Sequence, residues 1–197
     1  MQDDSVRDDI AFIRRTIEEG RTSATDWGGF LIMWGLYVAL AQLATYAFVR
    51  RWSPLDPNWI WNVFILLPWA YSIYLVRRRR FARRRTLQGR TLLMLWFGLG
   101  IFLTLLGFLM SWSGDVRQGW LMPVSEGALG VAYFTIAALC GIPWMRWVAA
   151  GWWLGMIATF LLHDRAEVLL IGAALMLLLQ VAPGIVLLRI APAAKGA

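Results

Sequence analysis

The chain has 197 residues, of which 59% are hydrophobic and 13 are Trp, and its mean hydropathy is +0.58. A soluble domain of this length is about half apolar, so the composition excludes an ordinary soluble domain and indicates an integral membrane protein. The net charge is +7. The arginines of residues 77–90 account for all of this excess, which argues against a basic nucleic-acid-binding face spread over a folded surface.

The first 26 residues are polar and predict a short cytoplasmic amphipathic helix followed by a link. Val6, Ile10, Ile13 and Ile17 step by four, three and four positions, which places them on one narrow helical stripe. Acidic residues outnumber arginines here, so anionic lipid would repel the segment. Three roles stay open: docking on the protein's own cytoplasmic face, contact with a protein partner or a second copy through residues 5–20, and lying on the membrane surface.

The stretch IAFIRRTIEEGRTSATDWGGFLIMWGL resembles the start of a group of small, uncharacterised bacterial inner-membrane proteins. Members begin with an FIRxTxE-type cytoplasmic helix, continue through a link to a WGG, and then enter about six spans. The matching residues are Phe12, Ile13, Arg14, Thr16, Glu18, Thr25, Trp27, Gly28 and Gly29. The group carries a histidine inside its final helix, whereas His163 precedes the final span predicted here. The resemblance implies an inner-membrane protein whose N-terminal helix is its working end, and it implies no catalytic residues.

Six apolar runs follow, each long enough to cross a bilayer. They predict spans at about 27–49, 58–76, 91–112, 119–141, 144–162 and 166–188. About 20 residues cover about 30 Å of hydrocarbon as a helix, and backbone groups in lipid must bond within their own segment. We therefore predict an all-α transmembrane helix bundle over residues 27–189, made of three antiparallel hairpins, with residues 190–197 as a cytoplasmic tail. A five-span alternative, with a broken or re-entrant segment near 141–146, stays open.

The distribution of basic residues predicts the orientation. With the arginine-rich loop inside, fifteen Lys and Arg lie on the cytoplasmic side and four on the other. This positive-inside bias predicts cytoplasmic N- and C-termini in a bacterial inner membrane. Anionic headgroups at residues 77–90, or the acidic face of residues 3–19, are the expected contacts of the loop, and no nucleic acid is expected. The loop residues concerned are Arg77, Arg78, Arg79, Arg80, Arg83, Arg84 and Arg85.

Polar residues are rare within the predicted spans. Glu126 is the one ionisable residue that lies away from a span end, about six residues from the outer end of the fourth span. With His163 and Asp164 of the last outer hairpin it forms a candidate proton or ion site, and a metal is chemically suited to these ligands. The alternative is that HDRAE is a solvated hairpin with a helix-capping Asp. Interhelical hydrogen bonds are expected from Gln42, Asn62 and Gln180.

Small residues, prolines and tryptophans suggest how the spans pack. Gly151, Gly155 and Thr159 recur every four residues and predict a close helix contact. Weaker pairs are Gly35 with Ala39, Gly100 with Thr104, and Ala137 with Gly141. Pro68 and Pro183 are expected to kink their helices unless neighbours satisfy the freed carbonyls. An aromatic belt at the span ends is predicted from Trp27, Trp52, Trp59, Trp61, Trp112, Trp120, Trp144 and Trp147.

Catalytic templates are absent from the sequence. Cys140 is the only cysteine and His163 the only histidine, and no HExxH, GxSxG or phosphate-binding glycine loop is present. We expect no enzymatic activity, no catalytic residues and no cofactor. The favoured reading is a non-enzymatic anchor, sensor or complex subunit that presents the cytoplasmic helix and the arginine-rich loop to a partner. The alternative is a small ion or solute transporter or channel component, and a lipid-acting membrane enzyme comes third.

Overall fold

The computed structural model describes residues 27–77, 87–112 and 120–190, and the regular structure within these ranges is entirely helical. The all-α prediction is confirmed, and each predicted span coincides with one helix to within a few residues. The helices are α1 (Gly28–Val49), α2 (Pro57–Arg77), α3 (Leu87–Trp112), α4 (Leu121–Leu139), α5 (Met145–Leu161) and α6 (Val168–Ile190).

Four of these helices, α1, α3, α4 and α6, are long and apolar enough to cross a membrane. Their outward faces carry large apolar side chains, among them Leu40, Leu105 and Leu178. Such a surface suits hydrocarbon, because an exposed apolar area of this extent is rare on soluble monomers. Helix α5 has 17 residues and is the shortest of the six. The chain is therefore a helical protein with four helices that could span a membrane.

Most helices pack on their neighbours in the chain, and the last helix packs on the first. Contacts join α1 to α2, α3 to α4, α4 to α5, and α5 to α6, and α6 returns to pack along α1. Between α2 and α3, Trp69 Nε1 donates a hydrogen bond of 3.0 Å to Thr104 Oγ1, and Gly100 leaves room for the same indole. The predicted small-residue pair of Gly100 and Thr104 is thus a docking place for Trp69.

A tight turn makes α4 and α5 an antiparallel hairpin. Gly141 has a φ of 62°, and the amide of Ile142 donates to the carbonyl of Ala137 at 3.2 Å. This is a Schellman ending, in which glycine adopts the left-handed conformation that closes a helix. Gly141 therefore lies outside the helix, and its predicted pairing with Ala137 as a packing face is wrong. Pro143 follows just before α5, where its missing N–H removes no helical bond.

Glycines set the closest helix contacts. A Cβ at Gly28 would lie 2.7 Å from the carbonyl oxygen of Gly184, and one at Gly184 would lie 2.7 Å from that of Gly28. The α1 and α6 backbones therefore touch directly at this end of the bundle. On the other side of α6, Gly151 and Gly155 of α5 accept Leu179 and Leu175 respectively. The predicted close contact of this α5 face is confirmed.

The two helix-internal prolines are accommodated differently. In α2, Ser72 Oγ donates a hydrogen bond of 2.6 Å to the carbonyl of Pro68 itself, while the helix continues through the proline. In α6, Pro183 follows a π-helical turn over Leu177–Val181, in which the amide of Ala182 donates to the carbonyl of Leu177. Such a wide turn is one of the ways a helix adjusts to an interruption in its bonding.

The tryptophans divide between the surface and the interior. Trp52, Trp59 and Trp147 near helix ends are largely exposed, as an aromatic belt requires. Trp27 departs from that prediction because it is buried and packs edge-on against Phe30. The first residue of the WGG motif is therefore part of the core.

Candidate functional site

The most unusual side chain of the interior is Glu126, which is 3% exposed on α4. One carboxylate oxygen, Oε2, accepts a hydrogen bond of 2.5 Å from the hydroxyl of Thr159 on α5. The other, Oε1, is buried without a hydrogen-bond partner. A buried carboxylate with no positive partner is costly, so its charge needs an offset.

Gln42 of α1 is the second buried polar side chain at this level. It is 5% exposed, and its Oε1 is also buried without a hydrogen-bond partner. The amide lies against Gly172 of α6, where an added Cβ would be 2.9 Å from Nε2 and 3.0 Å from Oε1. The same Cβ would overlap the methyl of Met122, which lies one turn before Glu126 on α4. The α1, α4 and α6 helices thus converge on Gly172.

The packing register places Thr159 at the same level. Gly151 and Gly155 of α5 lie against Leu179 and Leu175 of α6, so the next turn of α5, at Thr159, falls beside Ile171 and Gly172. We call this level the carboxyl layer, defined by Gln42, Glu126, Thr159 and Gly172. Four helices contribute to it, and all four residues are buried.

A second polar group, the tyrosine layer, lies near the middle of the bundle. Tyr133 of α4 is 0% exposed, and its hydroxyl donates a hydrogen bond of 2.9 Å to Gln180 Oε1 in the π turn of α6. Trp96 and Trp152 pack against the tyrosine ring, at centroid distances of 5.8 Å and 6.4 Å. Trp152 Nε1 is buried without a hydrogen-bond partner. Gln180 therefore links two helices, as predicted.

The two layers share helix faces. Glu126 and Tyr133 are seven residues apart on α4, and so are Thr159 and Trp152 on α5. Seven residues make two turns, so each pair projects from one side of its helix with about 10 Å between levels. The two polar layers therefore lie on the same faces of α4 and α5, and the buried residues Leu129 of α4 and Gly155 of α5 lie between them.

The third predicted member of the ion site, His163, lies at the end of α5, beyond the carboxyl layer. Its Nδ1 donates to the carbonyl of Phe160 at 2.7 Å, and its Nε2 is 3.3 Å from Asp164 Oδ2. The ring packs beside Trp120. In the described ranges, no hydrogen bond or ion pair joins Glu126 to His163 or Asp164, and no group of three His, Cys, Asp or Glu is placed to hold a metal ion.

An ion pair joins α1 to α6 at the same end of the bundle. Arg50 contacts Glu167 at 2.5 Å, and both side chains are about half exposed. Arg50 Nε also donates to the Tyr46 hydroxyl at 3.0 Å. This hydrogen bond, more than the nearby Glu167 charge, raises the pKa of the guanidinium above its ordinary value. The pair closes the α1–α6 seam above Gln42 and Gly172.

Other predicted residues lie elsewhere. Arg77 is exposed at the last residue of α2. Asn62 does not link helices as expected, because its Nδ2 donates to Asn58 O within its own helix. Outside the described residues lie Val6, Ile10, Ile13, Ile17, Arg78, Arg79, Arg80, Arg83, Arg84 and Arg85.

The sequence points to two residues of the carboxyl layer, but it predicts other roles for them. Thr159 was predicted as part of a small packing face and Gln42 as a helix cross-link. Only the register between α4, α5 and α6 shows that both belong with Glu126. Trp152 and Tyr133 were not predicted as polar contributors at all, since an aromatic residue in an apolar run indicates only packing.

No protein-family model matches the chain, and neither the curated proteins nor the solved structures searched include one similar to it.

Proposed function

We propose that the chain is a six-span bacterial inner-membrane protein that carries a proton or small cation through an interior site centred on Glu126. Both termini lie in the cytoplasm in this proposal, and the end with His163 faces the periplasm. The observation that carries it is the buried carboxyl of Glu126, which has one oxygen without a partner. Ionisable groups inside membrane spans are costly and commonly mark ion or proton paths.

The tyrosine layer supports a path rather than an isolated site. It continues the polar faces of α4 and α5 two turns further toward the cytoplasmic end, where Tyr133 and Gln180 are already bonded. A wide turn in α6 lies at the same level, and such turns are frequent at functional positions. A proton or ion leaving Glu126 would therefore meet polar groups near the bundle centre.

Ion flux in proteoliposomes tests the proposal. Purified protein is reconstituted with a pH-sensitive dye inside for flux driven by a proton gradient, and with a Na⁺-sensitive dye inside for flux driven by a Na⁺ gradient. We expect Glu126→Gln to lower the flux at least tenfold. Ser125→Ala is the matched control, because the Ser125 hydroxyl bonds only its own helix at Leu121 O. Equal flux in wild type and Glu126→Gln contradicts the proposal.

A second proposed function is a non-enzymatic anchor, sensor or complex subunit. The concentration of arginines on the proposed cytoplasmic side, beside an acidic amphipathic segment, favours it. The resemblance of residues 10–36 to bacterial inner-membrane proteins with a cytoplasmic helix points the same way. Affinity purification in mild detergent tests it by comparing wild type with a variant carrying Ser at Val6, Ile10, Ile13 and Ile17. The proposal fails if the same proteins co-purify with both.

A further inference from the structure

We propose that the carboxyl layer is a binding site for one dehydrated monovalent metal cation of the sodium class. This inference rests on the proposed function and specifies the ligand of the site. The carboxyl layer contains more hydrogen-bond acceptors than donors. The only hydroxyl in the layer is that of Thr159, and its single proton is within hydrogen-bond distance of Glu126 Oε2 and of the carbonyls of Gly155 and Met156. Glu126 Oε1 and Gln42 Oε1 are acceptors, each buried without a donor.

The unpaired atoms define the chemical class. Both are oxygens, one from a carboxylate and one from an amide carbonyl, and the hydroxyl of Thr159, which is bonded to the same carboxylate, supplies a third oxygen of the layer. Carboxylate, carbonyl and hydroxyl oxygens suit hard cations, whereas copper and zinc sites use sulfur and imidazole. Cys140 and His163 lie at other levels of the structure. The layer therefore fits a hard cation.

The charge of the layer selects a monovalent ion. Glu126 supplies one negative charge, and no basic side chain among the described residues pairs with it. Along the chain, the described charged or titratable residues nearest to Gln42, Thr159 and Gly172 lie at the periplasmic end of the proposed topology; they are Arg50, His163, Asp164, Arg165 and Glu167. A single positive charge would neutralise Glu126, while a divalent ion would leave an uncompensated charge in the low-dielectric interior.

Gly172 is the positioning residue of the site. A side chain at this position would overlap the Met122 methyl and press on the Gln42 amide. Glycine lets the amide lie against the α6 backbone, level with Glu126. We expect Gly172→Ala to displace Gln42 and to weaken cation binding while leaving the carboxylate in place.

Cation-dependent unfolding provides the test. The buried thiol of Cys140 reports unfolding when it reacts with a thiol-specific dye, so full-length protein in detergent can be heated in NaCl, KCl or choline chloride at equal ionic strength. At pH 8 we expect Na⁺ to raise Tm in a saturable way, because a ligand that binds only the folded state stabilises it. We expect Gln42→Leu to raise the Kd for Na⁺ at least tenfold and Glu126→Gln to abolish the effect.

Matched variants keep the test falsifiable if a layer variant folds poorly. Thr159→Ser keeps the hydroxyl and should keep the Na⁺ effect. Asn62→Leu removes an exposed amide bonded to its own helix and should also keep it. The proposal is overturned if Na⁺ has no more effect than choline, or if Glu126→Gln responds as wild type does.

The outcomes separate this inference from the proposed function. Proton flux that needs Glu126, without any Na⁺ effect on Tm, leaves the transport proposal standing and overturns the metal-cation site. Na⁺ stabilisation that needs Glu126 and Gln42, without flux, supports the site and contradicts transport. Infrared spectra report the protonation of Glu126 directly. If the wild type shows a protonated carboxyl band that disappears in Glu126→Gln and does not change with Na⁺, the site holds a proton rather than a metal cation.

Discussion

Gly28 shows how much one residue contributes to this bundle. Two consecutive glycines follow Trp27, yet their surroundings differ completely. Gly28 faces the α6 backbone, whereas a Cβ at Gly29 would meet nothing within 4 Å. Small residues let membrane helices approach closely, and packing then replaces the hydrophobic drive that lipid does not supply.

Gly28 and Gly29 provide a matched pair of substitutions. Gly28→Ala should lower the free energy of unfolding by about 1–3 kcal/mol, because the new methyl would lie 2.7 Å from Gly184 O and 2.8 Å from Leu188 Cγ. Gly29→Ala should leave stability unchanged or slightly improved, since alanine is the better helix former. Thermal unfolding read through Cys140 compares them. Equal losses in the two variants would contradict the α1–α6 contact.

Tyr133 allows a second test at the same scale. Tyr133→Phe leaves Gln180 Oε1 buried without its donor, so we expect a loss of about 1–3 kcal/mol. Replacing both residues, as Tyr133→Phe with Gln180→Met, removes the unsatisfied oxygen and should cost less than the sum of the single changes. A double-mutant cycle on thermal unfolding measures the difference. Strict additivity would show that the hydrogen bond contributes nothing specific.

At the scale of elements, α6 connects α1 to α5. It packs on α1 along one side and on α5 along another, and its π turn supplies Gln180 to the bundle centre. Leu175 and Leu179 of α6 fit against Gly155 and Gly151 of α5. This fit fixes the register between the two helices, and the register brings Thr159 level with Gly172.

Enlarging a residue of α5 and shrinking its contact on α6 tests this register. Gly155→Ala should destabilise the protein, because a Cβ there would lie 2.5 Å from Leu175 Cδ1. Adding Leu175→Ala removes the obstructing methyls and should recover part of the loss, although a cavity will keep it below wild type. Gly107→Ala, on an open part of α3, is the control. Failure of the second change to rescue the first would place the α5–α6 contact elsewhere.

The positions of the helices could be predicted from sequence, whereas the carboxyl layer could not. The length of each apolar run predicts where a helix lies, because a backbone in lipid can satisfy its hydrogen bonds only within the helix. The sequence marks Glu126 as unusual but predicts its partners to be His163 and Asp164 in the loop. Thr159, one turn deeper, is the residue that binds it. Which turn of α5 meets which turn of α4 depends on how side chains interlock, and sequence spacing within one helix does not contain that information.

For the molecule as a whole, the proposed orientation depends on the arginine-rich loop. Replacing Arg78–Arg80 and Arg83–Arg85 with Gln should produce mixed orientations, because the basic residues on the cytoplasmic side then fall from fifteen to nine, against four on the other side. Fluorescent-protein and alkaline-phosphatase fusions at residue 197 and within residues 53–56 report which side of the membrane each position faces. Arg117→Gln with Arg165→Gln is the control and should leave the orientation uniform. Phosphatase activity at residue 197 in the wild type would contradict the N-in/C-in proposal.

The contact between α1 and α6 has a consequence for synthesis. Gln42 reaches its place against Gly172 only after about 130 further residues have been made. At ribosomal rates of about 5–20 residues per second, that interval lasts on the order of 7–26 s. Throughout it, a polar amide in the first span lacks the helix that will cover it. A chain that ends before α6 therefore keeps this amide uncovered in its first helix.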